Sequence, residues 1–190
     1  MMKELILASG SPRRREILLM AGYDFTVISP DAEELSEGLP EILTVENSRL
    51  KANAALKITS GVIICADTVV ALNGKILGKP HTAENAEKML LSLSGNTHSV
   101  ITGYTVTDGE KTVSGFEETK VTMREIPADE IKAYVEKCSP LDKAGAYGIQ
   151  EAAGMFVSAL SGDYYNVVGL PLCVISEILR KDFNIFPFQI

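Results

Sequence analysis

The 190-residue chain reads as a mixed α/β protein, and three observations carry that reading. Leu5-Ile6-Leu7 is a short apolar run suited to a buried strand, and Ser11-Pro12, a helix start, follows at once. Val62–Ala66, VIICA, is continuously apolar, as a strand covered on both faces is. Segments with apolar residues at helical spacing alternate with these runs, clearest in Thr44–Ser60 and Thr82–Leu93.

Taken in order, the first strand delivers Ala8-Ser9-Gly10-Ser11, a loop with little side-chain bulk. Ser11 suits an N-cap, and Pro12 suits the first helical position, where its missing N–H costs nothing. Arg13, Arg14 and Arg15 then fall in the first turn, where the macrodipole is already positive. A phosphate chain held by free N–H groups and guanidinium forks would relieve that conflict. An ordinary capped helix with solvated arginines is the other reading, and residue types alone leave both open. The Gly-Lys-Ser/Thr of a P-loop is missing. Gly22 reads as the helix stop and Phe25–Ile28 as a second strand. The acidic segment Ser29–Glu34 follows at that strand's carboxyl end, where ligands of open α/β sheets gather. A carboxylate there either holds a divalent cation or is simply solvated.

Thr44 is expected to cap the helix over Thr44–Ser60, with Val45, Leu50, Ala52, Ala55, Leu56 and Ile58 as its apolar face. Lys51 stands among small residues on it. The apolar run Val62–Ala66 is expected to end in Asp67-Thr68, with Val69–Leu72 resuming the pattern. A carboxylate between two buried runs needs a cation, a metal or several donors, so Asp67 is read as a metal ligand or general base. The alternative is a carboxylate that bonds the local backbone. Asn73-Gly74 signals a hairpin leading into Gly78-Lys79-Pro80, which restrains Lys79 as a phosphate or water contact near Asp67.

Ser94-Gly95-Asn96 stops the helix over Thr82–Leu93. Thr97–Thr107 and Lys111–Thr122 read as antiparallel strands about Asp108-Gly109. His98, lacking a paired nucleophile, is read as a structural hydrogen bonder. A helix over Pro127–Lys137 is followed by the small-residue loop Leu141–Gln150, LDKAGAYGIQ, which would let a flat ligand approach its backbone. Met155–Leu160 is expected as a strand, Gly162–Asn166 as a turn and Val167–Leu179 as the last helix. The tail, Phe183–Ile190, is expected on the surface or across a subunit contact, which leaves room for a homodimer.

With 18 Lys and Arg against 25 Asp and Glu, the net charge of −7 argues against a general nucleic-acid or anionic-membrane surface. Three consecutive arginines on such a chain read as a focused site. Three widely spaced cysteines without Cys-x-x-Cys point to a reducing compartment, with neither a disulfide framework nor a zinc site. No stretch reaches transmembrane length, and the N-terminus turns polar by Ser9, unlike a signal peptide. A cytoplasmic enzyme or binding protein is expected. With no linker, repeat or low-complexity tract, residues 1–190 read as a single domain.

Ala8-Ser9-Gly10-Ser11-Pro12-Arg13-Arg14, Ala66-Asp67-Thr68, Gly78-Lys79-Pro80, Leu93-Ser94-Gly95 with His98, Asp142-Lys143-Ala144-Gly145 through Gln150, and Val168-Gly169-Leu170-Pro171 together resemble the Maf family of nucleotide pyrophosphatases. The resemblance implies an elongated, twisted mixed sheet flanked by helices, with two lobes about a central cleft, similar to the inosine triphosphate pyrophosphatases. It implies cleavage of a nucleoside triphosphate between the α and β phosphates, with a divalent metal such as Mg or Mn assisting attack by water. Asp142–Gln150 resembles the members acting on dTTP and UTP; members acting on 7-methyl-GTP usually carry Ser-Asp-Gln where this chain has Ala66-Asp67-Thr68. By the same resemblance Ser9, Arg13 and Arg14 match the phosphate-binding loop, with Thr68 and Gln150 as further substrate contacts. Lys51 and Lys79 match the family's two lysines, and Glu34 and Asp67 its metal-holding and catalytic carboxylates. One departure is Glu151, where the family commonly has Gly after the Gln. The same chemistry on 7-methyl-GTP or another modified nucleotide is one alternative. A non-enzymatic, nucleotide-binding regulator of septum formation is the other.

Overall fold

The computed structural model describes residues 3–188. From the N-terminus the elements are β1 (Leu5–Ala8), α1 (Pro12–Met20), β2 (Thr26–Ile28), α2 (Pro40–Ala55), β3 (Val62–Leu72), β4 (Lys75–Leu77) and α3 (Ala83–Leu93). They continue with β5 (Thr97–Thr107), β6 (Thr112–Met123), α4 (Ala128–Cys138), β7 (Val157–Ser161), α5 (Tyr164–Val168) and α6 (Leu172–Phe183). Among the described residues the strands form one seven-stranded mixed sheet in the order β2-β1-β3-β5-β6-β7, with β4 beside β3. Helices flank it, as the α/β reading requires. The chain divides into two compact units: Met1–Thr68 with Thr102–Glu117 and Gly169–Ile190, and Val69–Ile101 with Glu118–Val168.

In the first unit β1 lies parallel to both β2 and β3, with Ile6 opposite Thr26 and Ile63. Burial on both faces explains why β1 and the start of β3 read as unbroken apolar runs. Ile6, Ala8, Ile63 and Cys65 pack with Ala52 and Ala55 of α2. The helix begins at Pro40, not at Thr44. Pro at the first helical position starts it after an extended Leu39, and Thr44 sits inside it with its hydroxyl donating to the Pro40 carbonyl at 2.9 Å. Its buried face also differs from the expected apolar one: Leu43, Thr44, Asn47, Ser48, Ala52 and Ala55 are inside, whereas Ile58 is 65% exposed. Three of the helix's seven buried residues are polar: Thr44 bonds back to its own helix, whereas Asn47 and Ser48 also reach partners distant in sequence.

β3 does not stop at Asp67-Thr68; it runs unbroken from Val62 to Leu72. Side chains leave a strand on alternate faces, so a carboxylate can stand on one without entering the core. Asn73 and Gly74, with φ of 51° and 77°, then make the expected two-residue turn into β4.

The second unit holds a core cluster in which Leu90 and Leu93 of α3 meet Ile131 of α4, Val121 and Met123 of β6, and Phe156. Tyr134 and Phe156 pack edge to face, with ring centroids 5.3 Å apart. Thr82 caps α3 by accepting from the Asn85 N–H at 3.2 Å. β7 begins at Val157, two residues later than expected, because 152–156 close into a 3₁₀ turn. The expected turn over Gly162–Asn166 is mostly the short helix α5, whose buried Asn166 donates to the Val100 carbonyl and the Thr119 hydroxyl, both at 3.0 Å. The last helix starts at Leu172 and not at Val167. Gly169, at φ 120°, and Pro171 interrupt any helix through that point.

The tail after Phe183 lies on the surface as far as it is described. Phe186, Pro187 and Phe188 line an apolar hollow with Tyr23, while Gln189 and Ile190 lie outside the described residues. Among the described residues no helix is long and apolar enough to cross a membrane.

Candidate active site

β1 and β3 run in the same direction with Leu7 opposite Ile64, so Ser9, just past the carboxyl end of β1, comes level with Ala66, next to Asp67 and Thr68 in the middle of β3. Ligands of parallel sheets collect at that end. Arg14 of α1 reaches back across it. Its Nε donates to the Gly169 carbonyl at 2.7 Å, Nη1 to the Ser9 hydroxyl at 3.1 Å and Nη2 to the Thr68 hydroxyl at 3.1 Å. The Thr68 hydroxyl in turn lies 2.9 Å from that of Thr102. One planar guanidinium thus ties three chain segments, which a flexible ammonium could not do. Burial lowers the pKa of Arg14, opposed by the nearby Asp67 carboxylate. Ser11 occupies the N-cap position of α1 but makes no side-chain cap; its N–H instead donates to Ser9 Oγ at 3.2 Å. Arg13 is half-buried beside this network, and Arg15 is exposed.

The middle of α2 supplies the second part. Lys51 Nζ lies 2.9 Å from both Glu34 Oε2 and Asp67 Oδ1, and 3.4 Å from the Ala66 carbonyl. One ammonium therefore bridges two carboxylates that would otherwise repel. Asn47, four residues earlier on the same helix face, donates to Asp67 Oδ2 at 3.0 Å. Reading the sequence for apolar periodicity passes over Asn47. The available signal is a buried polar stripe, Thr44-Asn47-Ser48-Lys51, at helical spacing. Cys65 lies two residues from Asp67, but burial pushes its thiol up to about 12, so it carries no thiolate chemistry near neutral pH.

Glu34 and Asp67 are two oxygen donors, and among the described residues no group of three or more His, Cys, Asp or Glu could hold a metal. That set does not make an all-protein cage. It does fit a small hard cation, which typically takes one or two carboxylates and completes its shell with substrate phosphates and water.

Lys79 and Gln150 belong to the second unit, where both are exposed. Their segments are joined there by backbone, since Gly145 N–H donates to the Gly78 carbonyl at 3.2 Å. The loop that carries Gln150 has a defined form. Gly145 and Ala146 are both left-handed, at φ 68° and 62°, and Lys143 Nζ meets Asp142 Oδ1 at 3.0 Å and Glu151 Oε2 at 3.3 Å. Glu151 is therefore used at its unusual position. His98 has the structural part expected of it: it is 2% exposed, its Nε2 is 2.6 Å from the Tyr147 hydroxyl, and burial lowers its pKa to about 4.

The family model described as "Maf-like protein" matches residues 4–182. The chain belongs to the Maf family. Curated Maf relatives include the protein named "dTTP/UTP pyrophosphatase" of Thermococcus gammatolerans, 46% identical over 181 residues that cover 95% of this chain and 98% of that one. The protein of the same name from Pyrococcus furiosus is 47% identical over 182 residues, covering 94% and 95%. That of Bacillus cereus is 44% identical over 189 residues, covering 97% and 92%. Among solved structures, that of the Staphylococcus aureus Ham1 protein matches 64% of this chain and 72% of its own at 22% identity, with a TM-score of 0.47.

Proposed function

We propose that this Maf-family chain is a nucleoside triphosphate pyrophosphatase that hydrolyses dTTP and UTP to the monophosphate and pyrophosphate. The observation that carries the reading is near-full-length identity of 44–47% to relatives named for that activity. The family model over residues 4–182 supports treating the chain as one catalytic domain.

The site's chemistry is consistent with it. Ser9, Arg13 and Arg14 receive the phosphate chain, with Thr68 beside them. The planar fork of Arg14, already oriented by Ser9, Thr68 and Gly169, presents its other N–H groups to phosphate oxygens without further ordering. A divalent cation, Mg or Mn, would be held by Glu34 and Asp67 and would supply charge neutralisation and Lewis acidity. Asp67 orients the attacking water and takes its proton. The water oxygen bonds to the α-phosphorus as the bond to the bridging oxygen breaks, and pyrophosphate leaves. Lys51 and Lys79 stabilise the charge that develops on the phosphoryl oxygens and the leaving group. Gln150, at the end of the Asp142–Gln150 loop, contributes to the base pocket. Free Cys65, Cys138 and Cys173 support a reducing, cytoplasmic setting.

Uracil and thymine present two carbonyl acceptors about one N–H donor, and cytosine replaces a carbonyl by an amine. A pocket bonded to the former edge rejects the latter, because its own polar groups would be left unpaired. The test is pyrophosphate release by the purified protein with Mg or Mn from UTP, dTTP, CTP, dCTP and 7-methyl-GTP. UTP and dTTP are expected to be cleaved and CTP and dCTP rejected. Cleavage of CTP as fast as UTP, or a preference for 7-methyl-GTP, overturns the reading. Asp67→Asn should stay folded and lose at least about a hundredfold in turnover.

A further inference from the structure

Between β2 and α2 the chain has neither helix nor strand, and the exposed Glu34 stands on that segment. A carboxylate on such a segment keeps its conformational freedom unless something holds the backbone beside it. Packing of the neighbouring Leu35 side chain does not, since it is 52% exposed. The backbone of Leu35 is held by Asn47 of α2, which is 3% exposed. Asn47 Oδ1 accepts from the Leu35 N–H at 2.7 Å, and Nδ2 donates to the Leu35 carbonyl at 3.1 Å. The side-chain amide thus pairs with the chain as a peptide group of a neighbouring strand would.

The other hydrogen of Nδ2 goes to Asp67 Oδ2 at 3.0 Å. These bonds use both amide hydrogens and the carbonyl oxygen, which fixes the sense of the amide. Rotated by half a turn, it would set oxygen against the Asp67 carboxylate and the Leu35 carbonyl together. One turn along the same face, Lys51 joins the Glu34 carboxylate to the other oxygen of Asp67. Two side chains of α2 therefore tie the same two partners, one through the backbone and one through the carboxylates.

We infer that Asn47 is a positioning residue: it holds the backbone beside Glu34 so that the Glu34 carboxylate faces Asp67 across Lys51. This rests on the reading of Glu34 and Asp67 as the working carboxylates of the proposed reaction. Asn47 itself needs no contact with substrate.

The experiment is a double-mutant cycle on UTP hydrolysis with Asn47→Ala, Glu34→Gln and the pair, together with amide hydrogen exchange at Leu35. Asn47→Ala alone should lower kcat/KM about tenfold or more, and in the Glu34→Gln background by less than about threefold, because the effect passes through Glu34. Equal losses in both backgrounds overturn the inference. Exchange at the Leu35 amide should accelerate at least about tenfold in Asn47→Ala, and an unchanged rate also overturns it. If Asn47→Ala does not fold, Asn47→Leu, close in volume, takes its place in both measurements. Should wild type leave UTP intact, the functional reading fails on its own, and exchange at Leu35 still decides whether Asn47 holds that backbone.

Discussion

Gly103 of β5 lies so close under Thr44 of α2 that a Cβ on the glycine would overlap the Thr44 carbonyl. One turn further along, the Ser48 hydroxyl lies 2.7 Å from that of Thr105, which is 3.0 Å from that of Ser114. The same helix carries Asn47 and Lys51. Its height above the strand is set by a missing side chain, and its register by hydroxyl contacts.

Gly103→Ala should therefore destabilise the protein by about 3 kcal/mol, the upper end of ordinary overpacking, because backbone and not a flexible side chain must move. The same displacement carries Lys51 away from Asp67, so UTP hydrolysis should fall as well. Urea unfolding and a turnover assay read the two effects. An unchanged midpoint would show that α2 is free to rise from the strand.

How far the sequence foretold this site depends on where each partner lies along the chain. Local signals were legible: the strand running into Ser9, Pro12 at a helix start, Asn73-Gly74 at a turn, and Asp67 between two apolar runs. Thr44 misled because it has the chemistry of a cap, whereas Pro40, four residues earlier, had the stronger claim to the first helical position. The polar face of α2 was not legible, since Asn47 bonds Leu35 and Asp67, and Ser48 meets Thr105 besides its own helix's Val45 carbonyl; Leu35, Asp67 and Thr105 all lie far off in sequence. Gly169 and Pro171 stood in plain view as helix breakers, but the apolar residues around them read as one continuous helix.

The three arginines of α1 should separate on substitution by Lys. Arg14→Lys loses a fork bonded to Ser9, Thr68 and Gly169, so it should lower both turnover and stability, the latter by about 2 kcal/mol for bonds made by a charged group. Arg13→Lys should lower turnover with little change in Tm. Arg15→Lys, at an exposed position, should change neither. Equal losses of turnover at all three would mean a diffuse positive field and no shaped phosphate site.

Gly145→Ala tests the coupling of the Asp142–Gln150 loop to Lys79. A side chain there must adopt φ 68°, and its Cβ would stand 3.1 Å from Val70 Cγ1. The left-handed backbone alone costs about 1–2 kcal/mol. Because Gly145 bonds the Gly78 carbonyl next to Lys79, turnover should drop beyond what the loss of stability explains. Full activity in a destabilised variant would separate the loop from Lys79.

The last prediction concerns acid. His98 is buried against Tyr147, its Nδ1 has no hydrogen-bond partner among the described residues, and burial lowers its pKa from 6.5 to about 4. In the unfolded chain it takes up a proton as pH falls through 6.5; in the folded protein it stays neutral to about 4. Between those values the unfolded state binds more protons, so stability falls as pH falls. The loss should reach about 3 kcal/mol by pH 4, since one proton bound only by the unfolded chain costs about 1.4 kcal/mol for each pH step of one. Asp108 also has a lowered pKa, about 2, from its bonds to Lys3 and the Lys111 N–H, but that stabilisation is lost only below its ordinary 3.8. The two windows are therefore distinct. Urea unfolding at intervals from pH 7 to pH 4 should show a falling midpoint in wild type and a flatter one in His98→Gln, which does not titrate there. Matching slopes in the two proteins would mean that His98 is not the group that charges on unfolding.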